Sequence, residues 1–338
     1  MSLAVVILNY NGRDFLAQFL PAVVANADGA TIYVADNAST DGSIALLREQ
    51  FPGVRLIQLP RNEGYAGGYN SALQFIRHQP DSFTYYCLLN SDVAVTPNWI
   101  RPVVALLDSR PNIAACQPKL LAYHQPTQFE YAGGAGGYVD WLGFAFCRGR
   151  LFDTLETDTA QYNDNRPVFW ASGACLFVRA SVFHQTGGFD ADFFAHMEEI
   201  DWCWRVQRQG YEIWTCGDST VYHVGAGTLA KSNPKKTYLN YRNSLAMLYK
   251  NLPTNGLWPL LIFRLVIDGL SAGPLLLRGE WMAIWAIIRA HFAFYGWLGT
   301  LRVKRHNLAR LATHDVALFP KSIIWQYFAK GVRRFSEL

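Results

Sequence analysis

The chain has 338 residues, enough for a full hydrophobic core, so one large domain with an appendage is expected. Charged residues make up 17% and aromatics 14%, with 11 Trp, a balance that leaves apolar area on the surface. The net charge of +4 is split unevenly, −5 over residues 1–237 and +9 over residues 238–338; with no nucleic-acid-binding motif present, the basic, Trp-rich tail argues for an anionic membrane surface and against nucleic acid.

Ala4 to Leu8 is a continuous apolar run of strand length, as in a buried parallel strand, and it ends in the polar turn Asn9-Tyr10-Asn11-Gly12. Phe15, Leu16, Phe19, Leu20 and Val23 then recur at helical spacing. Thr31–Ala35 is a second strand, closed by Asp36-Asn37-Ala38-Ser39-Thr40-Asp41-Gly42-Ser43. A helix, a third strand at Val54–Leu59, the Gly-rich Asn62–Asn70 and a helix to about His78 follow. A fourth strand, Tyr85–Leu89, runs into Asn90-Ser91-Asp92. This βαβαβαβ succession predicts a parallel, doubly wound sheet with helices on both faces. Ligands bind such sheets outside the carboxyl ends of the strands, where these polar turns fall.

Asp92 has two readings: a carboxylate holding a divalent cation against a phosphate, or the cap of a helix starting near Thr96-Pro97. Asp36 could accept from a base imide or ribose hydroxyl, or simply close an Asx-turn. Gly64, Gly67 and Gly68 would let backbone approach a ligand, or make a tight loop. The stretch is neither GxGxxG nor a P-loop, so neither a dinucleotide fold nor a phosphate-loop NTPase is supported.

A helix over Asn98–Leu107 and a strand at Ile113–Cys116 are expected, then an irregular region, 120–167, whose Gly133–Gly137 suggests hairpins or a mobile flap. Phe169–Val178 reads as an apolar strand region with a small-residue turn at Ser172-Gly173-Ala174. Next comes the acidic cluster Glu198-Glu199-Ile200-Asp201 at an expected helix start, whose dipole should help keep the acids ionised. Such a cluster is commonly a solvated first turn. Here Phe193, Phe194, Met197, Trp202 and Trp204 flank it and should half-bury it, as suits proton transfer. Asp201 and Arg205 should pair at i,i+4. His223, at a strand end before Gly225-Ala226-Gly227-Thr228, is either structural or part of a metal site with Asp92.

The six cysteines form no CxxC pair and predict free buried thiols in a reducing cytosol. A strand begins within a few residues of Met1 without a basic leader, so no signal peptide is expected and the protein should lie on the cytoplasmic side. Leu257–Leu277 contains Arg264, Asp268 and two prolines, and Trp281–Leu298 contains Arg289 and His291, so neither is expected to span a membrane. Helices lying in the interface, with Arg302, Lys304, Arg305 and Arg310 over anionic lipid, are expected; a shallow membrane hairpin and a soluble helical cap packed on the first domain are the alternatives.

Taken together, the strand-one turn through Asn11, Asp36–Gly42, Asn62–Asn70, Leu89–Asp92, Gly173-Ala174, Glu198–Asp201, His223-Val224-Gly225 and Tyr241-Arg242-Asn243 resemble, in order, the inverting family 2 glycosyltransferases of GT-A fold, above all bacterial rhamnosyltransferase-type members. The resemblance covers residues 3–250. It implies an α/β GT-A catalytic domain over 1–237 and a C-terminal helical, membrane-contacting region over 238–338. It implies a nucleotide-sugar donor held by Asn9, Tyr10, Asn11, Asp36, Asn62, Gly64, Asn70, Asn90 and Gly173, and a cation, Mg2+ or Mn2+, on Asp92 and His223. The base position falls on Glu199, with Glu198 and Asp201 beside it. The acceptor would be a surface saccharide or a polyprenyl-diphosphate-linked one, on the cytoplasmic face of the membrane. Two positions depart from the family pattern: Asn90 replaces the first Asp of DxD, leaving one charge fewer for a metal, and the base is Glu rather than Asp. A non-catalytic sugar-binding module is the alternative. A nucleotidyltransferase ranks lower, because the strand-one turn has no Gly-rich basic phosphate loop.

Overall fold

The computed structural model describes residues 2–225 and 233–338. In chain order the elements are β1 (Leu3–Asn9), α1 (Arg13–Ala25), β2 (Thr31–Asp36), α2 (Ser43–Gln50), β3 (Arg55–Gln58), α3 (Gly64–Arg77), β4 (Tyr85–Asn90), β5 (Val93–Val95), α4 (Arg101–Ser109), β6 (Ile113–Ala122) and β7 (Gln125–Phe129). There follow β8 (Gly137–Val139), β9 (Ala145–Cys147), β10 (Arg150–Leu151), β11 (Thr154–Leu155), β12 (Arg166–Val168), β13 (Cys175–Arg179), α5 (Ala180–Gln185), α6 (Glu198–Gln207) and β14 (Glu212–His223). Four helices complete the chain: α7 (Pro234–Asn251), α8 (Leu257–Leu270), α9 (Ala272–Leu277) and α10 (Trp281–Leu311).

The main sheet runs β12-β14-β6-β13-β4-β1-β2-β3. β4, β1, β2 and β3 are parallel neighbours, and β13 enters antiparallel between β4 and β6. Successive β1 residues feed opposite cores, because strand side chains alternate in direction. Ala4 and Val6 join the layer of α3, α6, α7 and α10, while Leu3, Val5 and Ile7 join that of α1, α2 and α4. The sheet is therefore covered on both faces, which is why its strands read as unbroken apolar runs. All six cysteines are free and buried.

Two expectations change. The helix after Asp92 starts only at Arg101, because Val93–Val95 first pairs with β14; Asp92 caps no helix. Residues 137–155 form a second, four-stranded sheet, β11-β10-β9-β8, whose Phe146 and Leu151 are buried under Ile323. The hairpins are there, but packed, so the segment is no open flap.

The expected boundary at 237/238 falls inside α7, whose Leu245–Leu248 share one core cluster with the catalytic sheet. Arg264 and Asp268 are buried and paired to each other at 2.9 Å, and Arg264 also donates to the Leu142 carbonyl. Both charges of α8 point inward, so its outer face is apolar. Leu257–Leu277 is, by length and composition, apolar enough to cross a membrane, with a mean hydropathy of 1.8, although Arg264 and Asp268 had argued against a span. Ile262, Val266, Leu270, Leu277, Trp281, Met282, Trp285 and Phe292 are exposed along this hairpin.

Candidate active site

The carboxyl ends of β1 and β2 are tied to each other by their own turns. Asn9 donates from Nδ2 to Asp36 Oδ2 at 3.0 Å and to Ser39 Oγ, and Asp36 Oδ1 accepts from the Ser39 amide at 2.8 Å. Asn11, in the left-handed region, accepts from the Thr40 amide. Asp36 is buried, and its carboxylate closes the turn after β2 on the Ser39 amide. Tyr10 stands exposed beside it. A cavity of about 420 Å³ opens at Asn11, Gly12, Arg13, Asp14, Phe15 and Asp41. Asn62 Oδ1 accepts from the Gly64 amide and from Asn37, fastening the start of α3 to the β2 turn.

Asp92 and His223 leave the sheet on neighbouring strands, β5 and β14, and meet with Asp92 Oδ1 3.2 Å from His223 Nε2. Asn90 Nδ2 lies 3.4 Å from the same nitrogen. Burial opposes the Asp92 charge, but the His223 ring holds the carboxyl below its ordinary range. Burial would likewise push His223 down; Asp92 and Glu130 instead raise it to about 10. Glu130 Oε1 lies 3.2 Å from Nδ1, the far side of the ring. Nothing in the sequence flagged Glu130, which comes from the stretch expected to be a flap. Two donors on a divalent ion at about 2.1 Å and a right angle lie about 3.0 Å apart, so an ion could sit between Asp92 and His223 only in place of the Nε2 proton that now bridges them. Among the described residues no three His, Cys, Asp or Glu side chains converge on one ion.

Glu198 and Glu199 are the first residues of α6, immediately after a turn in which Phe194, His196 and Met197 all have positive φ. Their Oε2 atoms find no partner among the described residues. Burial pushes Glu199 up to about 7, and burial plus the Glu199 charge push Glu198 well above the carboxylate range. The helix dipole therefore does not keep this pair ionised, contrary to expectation. Burial removes more hydration than one helix end restores. The acids lie near Tyr65, whose phenol is raised by burial and by their charges. Tyr65 donates to the Gly173 carbonyl at 2.6 Å, bringing the start of α3, the 173 turn and α6 together. Gly64 has φ +72°, and a Cβ there would stand 2.4 Å from the Phe194 carbonyl, so only glycine fits.

Two expected site residues are engaged elsewhere. Asp201 has no exposure and carries Arg205 at 2.8 Å, Lys250 at 2.9 Å and Asn251 at 2.8 Å; the predicted i,i+4 pair is present, and the acid is committed to it. Asn70 exchanges two hydrogen bonds with the Phe189 backbone, a tie of α3 to the loop before α6. The turn expected beyond Gly225 lies outside the described residues.

A parallel sheet that gathers an open cavity, an Asp–His pair, a buried glutamate and a half-buried one near its carboxyl edge is the arrangement of a GT-A glycosyltransferase. Residues 4–186 match the sequence profile "Glycosyl transferase family 2", more than half of the chain, which therefore belongs to that family. It is 28% identical over 241 residues to the N-acetylglucosaminyl-diphospho-decaprenol L-rhamnosyltransferase of Mycobacterium tuberculosis, covering 67% of this chain and 77% of the relative. A low-salt glycan biosynthesis hexosyltransferase of Haloferax volcanii is 23% identical over 83% of each chain. Among solved structures, GalNAc-T7 with UDP, GalNAc and Mn2+ aligns with a TM-score of 0.57 at 15% identity, over 74% of this chain and 48% of that one. The Pyrobaculum calidifontis mannosyltransferase with GDP-Man and Mn2+ aligns at 0.50 and 16% identity, over 90% and 87%.

Proposed function

We propose that the enzyme transfers a hexose from a nucleotide-diphosphate donor, L-rhamnose if it follows its mycobacterial relative, to a hydroxyl of a polyprenyl-diphosphate-linked saccharide, with inversion. The observation that carries the reading is the juxtaposition of a buried and a half-buried glutamate, each with an Oε2 that has no partner among the described residues, with the glycine-rich start of α3.

The β1 and β2 turns hold the base and ribose, with Tyr10 free to lie against the ring. Asp92 and His223 would hold a divalent cation, which would supply positive charge against the departing diphosphate. Glu199 Oε takes the acceptor hydroxyl proton as that oxygen forms its bond to the anomeric carbon; the bond from the anomeric carbon to the diphosphate oxygen breaks on the opposite face. Glu198, protonated beside it, keeps a second negative charge from competing with Glu199. The exposed apolar face of α8–α10 sits on the anionic cytoplasmic leaflet of the membrane, which supplies the lipid-linked acceptor.

The test is titration of a panel of nucleotide sugars onto the purified protein with and without Mg2+ or Mn2+, following binding and slow donor hydrolysis. Metal-dependent binding of one donor, lost in Asp92→Asn, is the expected result. No binding of any donor under either condition would leave the sugar-binding module as the better reading.

A further inference from the structure

The segment that delivers Glu198 and Glu199 is held by two helices: the Ala66 amide of α3 donates to the Phe194 carbonyl at 3.1 Å, and α7 holds the rest. Asn243, fully buried, donates from Nδ2 to three carbonyls of the turn before α6: Phe193 at 3.0 Å, Ala195 at 2.9 Å and His196 at 2.8 Å. Its orientation is fixed from behind, because Arg242 Nε donates to Asn243 Oδ1 at 2.9 Å and only the amide nitrogen can then face the carbonyls. Arg242 adds bonds to the Asp192 and Phe193 carbonyls at 3.1 Å, and its guanidinium lies 4.2 Å from the Trp297 ring centre.

The Phe193 carbonyl also accepts from the Ala195 amide at 2.7 Å, so the bonds that Asn243 adds alone are those to Ala195 and His196. Three non-glycine residues of the turn, Phe194, His196 and Met197, have φ of 65°, 71° and 72°. Such residues are strained and persist only where their surroundings enforce it. Met197, the residue before the helix, makes no side-chain cap. One face of α7 then continues the hold: Lys250 and Asn251, seven and eight residues after Asn243, reach Asp201 one turn beyond Glu198.

We infer that Asn243 is a positioning residue. By capping three consecutive-turn carbonyls it sets the direction in which Glu199 leaves the helix start, and so couples the C-terminal helices to the geometry of proton removal. The inference rests on the reading of Glu199 as the base.

The test compares full-length wild type with Asn243→Ala and Asn243→Gln, using deoxythymidine-diphosphate rhamnose and a short-chain N-acetylglucosaminyl-diphospho-polyprenol. Misplacement of a reacting group by an ångström costs about 100-fold in rate, so kcat of Asn243→Ala should fall by about that factor. The donor KM should stay near the wild-type value, and Asn243→Gln, which keeps the donor group on a longer arm, should recover part of the loss. Amide exchange should quicken in residues 193–200 alone. A kcat near wild type in Asn243→Ala, or a loss spread equally over kcat, KM and chain-wide exchange, overturns the inference. If wild type turns over neither probe, the substrate reading fails and exchange decides: faster exchange confined to 193–200 supports the clamp, and unchanged exchange removes it. If Asn243→Ala does not fold, the same measures on Asn243→Gln decide.

Discussion

A base that burial has pushed up to about 7 has to lose its own proton before it can accept one. With Glu199 as the base, turnover should fall about tenfold per pH unit below 7 and level off above it, and initial rates between pH 5.5 and 9 check this. The sign follows from the raised value: protonation below pH 7 removes the acceptor lone pair. Glu199→Gln cannot ionise, so it should lose about 10²–10⁴ in rate while donor binding stays within a few-fold; near-normal turnover in that variant removes Glu199 from the role. On the metal side, Glu130 lies against the ring face of His223 that a metal would not use. Partners that orient a ligand commonly account for 10–100-fold in affinity, so Glu130→Ala should weaken Mn2+ binding by about that factor, read by calorimetry without any substrate.

At the scale of elements, α6 is carried on a buried network of charges. Lys250 lies between Asp190 at 2.6 Å and Asp201 at 2.9 Å, and Lys304 of α10 also reaches Asp190. Burial would raise Asp190, but the two ammonium groups hold it well below the ordinary carboxylate range. Removing one partner of a buried pair leaves an uncompensated charge, so Lys250→Met should cost about 3–5 kcal/mol in denaturant unfolding. By contrast, breaking the Arg13–Asp14 pair, exposed on both sides, should change stability by less than about 1 kcal/mol. A Lys250→Met variant as stable as wild type would mean that the network contributes nothing net.

For the whole molecule the distinguishing feature is the apolar hairpin of α8, α9 and the first half of α10. The charges within α8, Arg264 and Asp268, are turned onto the catalytic domain, while Arg289 of α10 and Trp258, Trp281 and Trp285 stand outward. Partitioning of such a face into the headgroup region scales with its apolar area. The double variant Trp281→Glu with Trp285→Glu should therefore lose flotation with vesicles containing anionic lipid while keeping its melting temperature. Binding of the double variant equal to wild type would assign that face to another partner.

The parallel strands and their polar ends are local facts of the chain: a period-2 or continuous apolar run and the turn after it can be read wherever both cores are apolar. The order of Asn9, Asp36, Asn62, Gly64, Asp92 and His223 along those ends determined the fold class and the family resemblance without reference to any contact. Distance in sequence hid the rest. Glu130 meets His223 only because β6 and β14 run side by side, and Asn243 meets the turn before Glu198 only because α7 folds back across α6. Asp201 and Glu199 look alike on paper, two acids in one helix start. Tertiary packing gave Asp201 three partners and left Glu199 Oε2 with none. The free energy of a carboxylate depends on what replaces its water, and that is decided by the neighbours that folding brings, not by the neighbours in the chain.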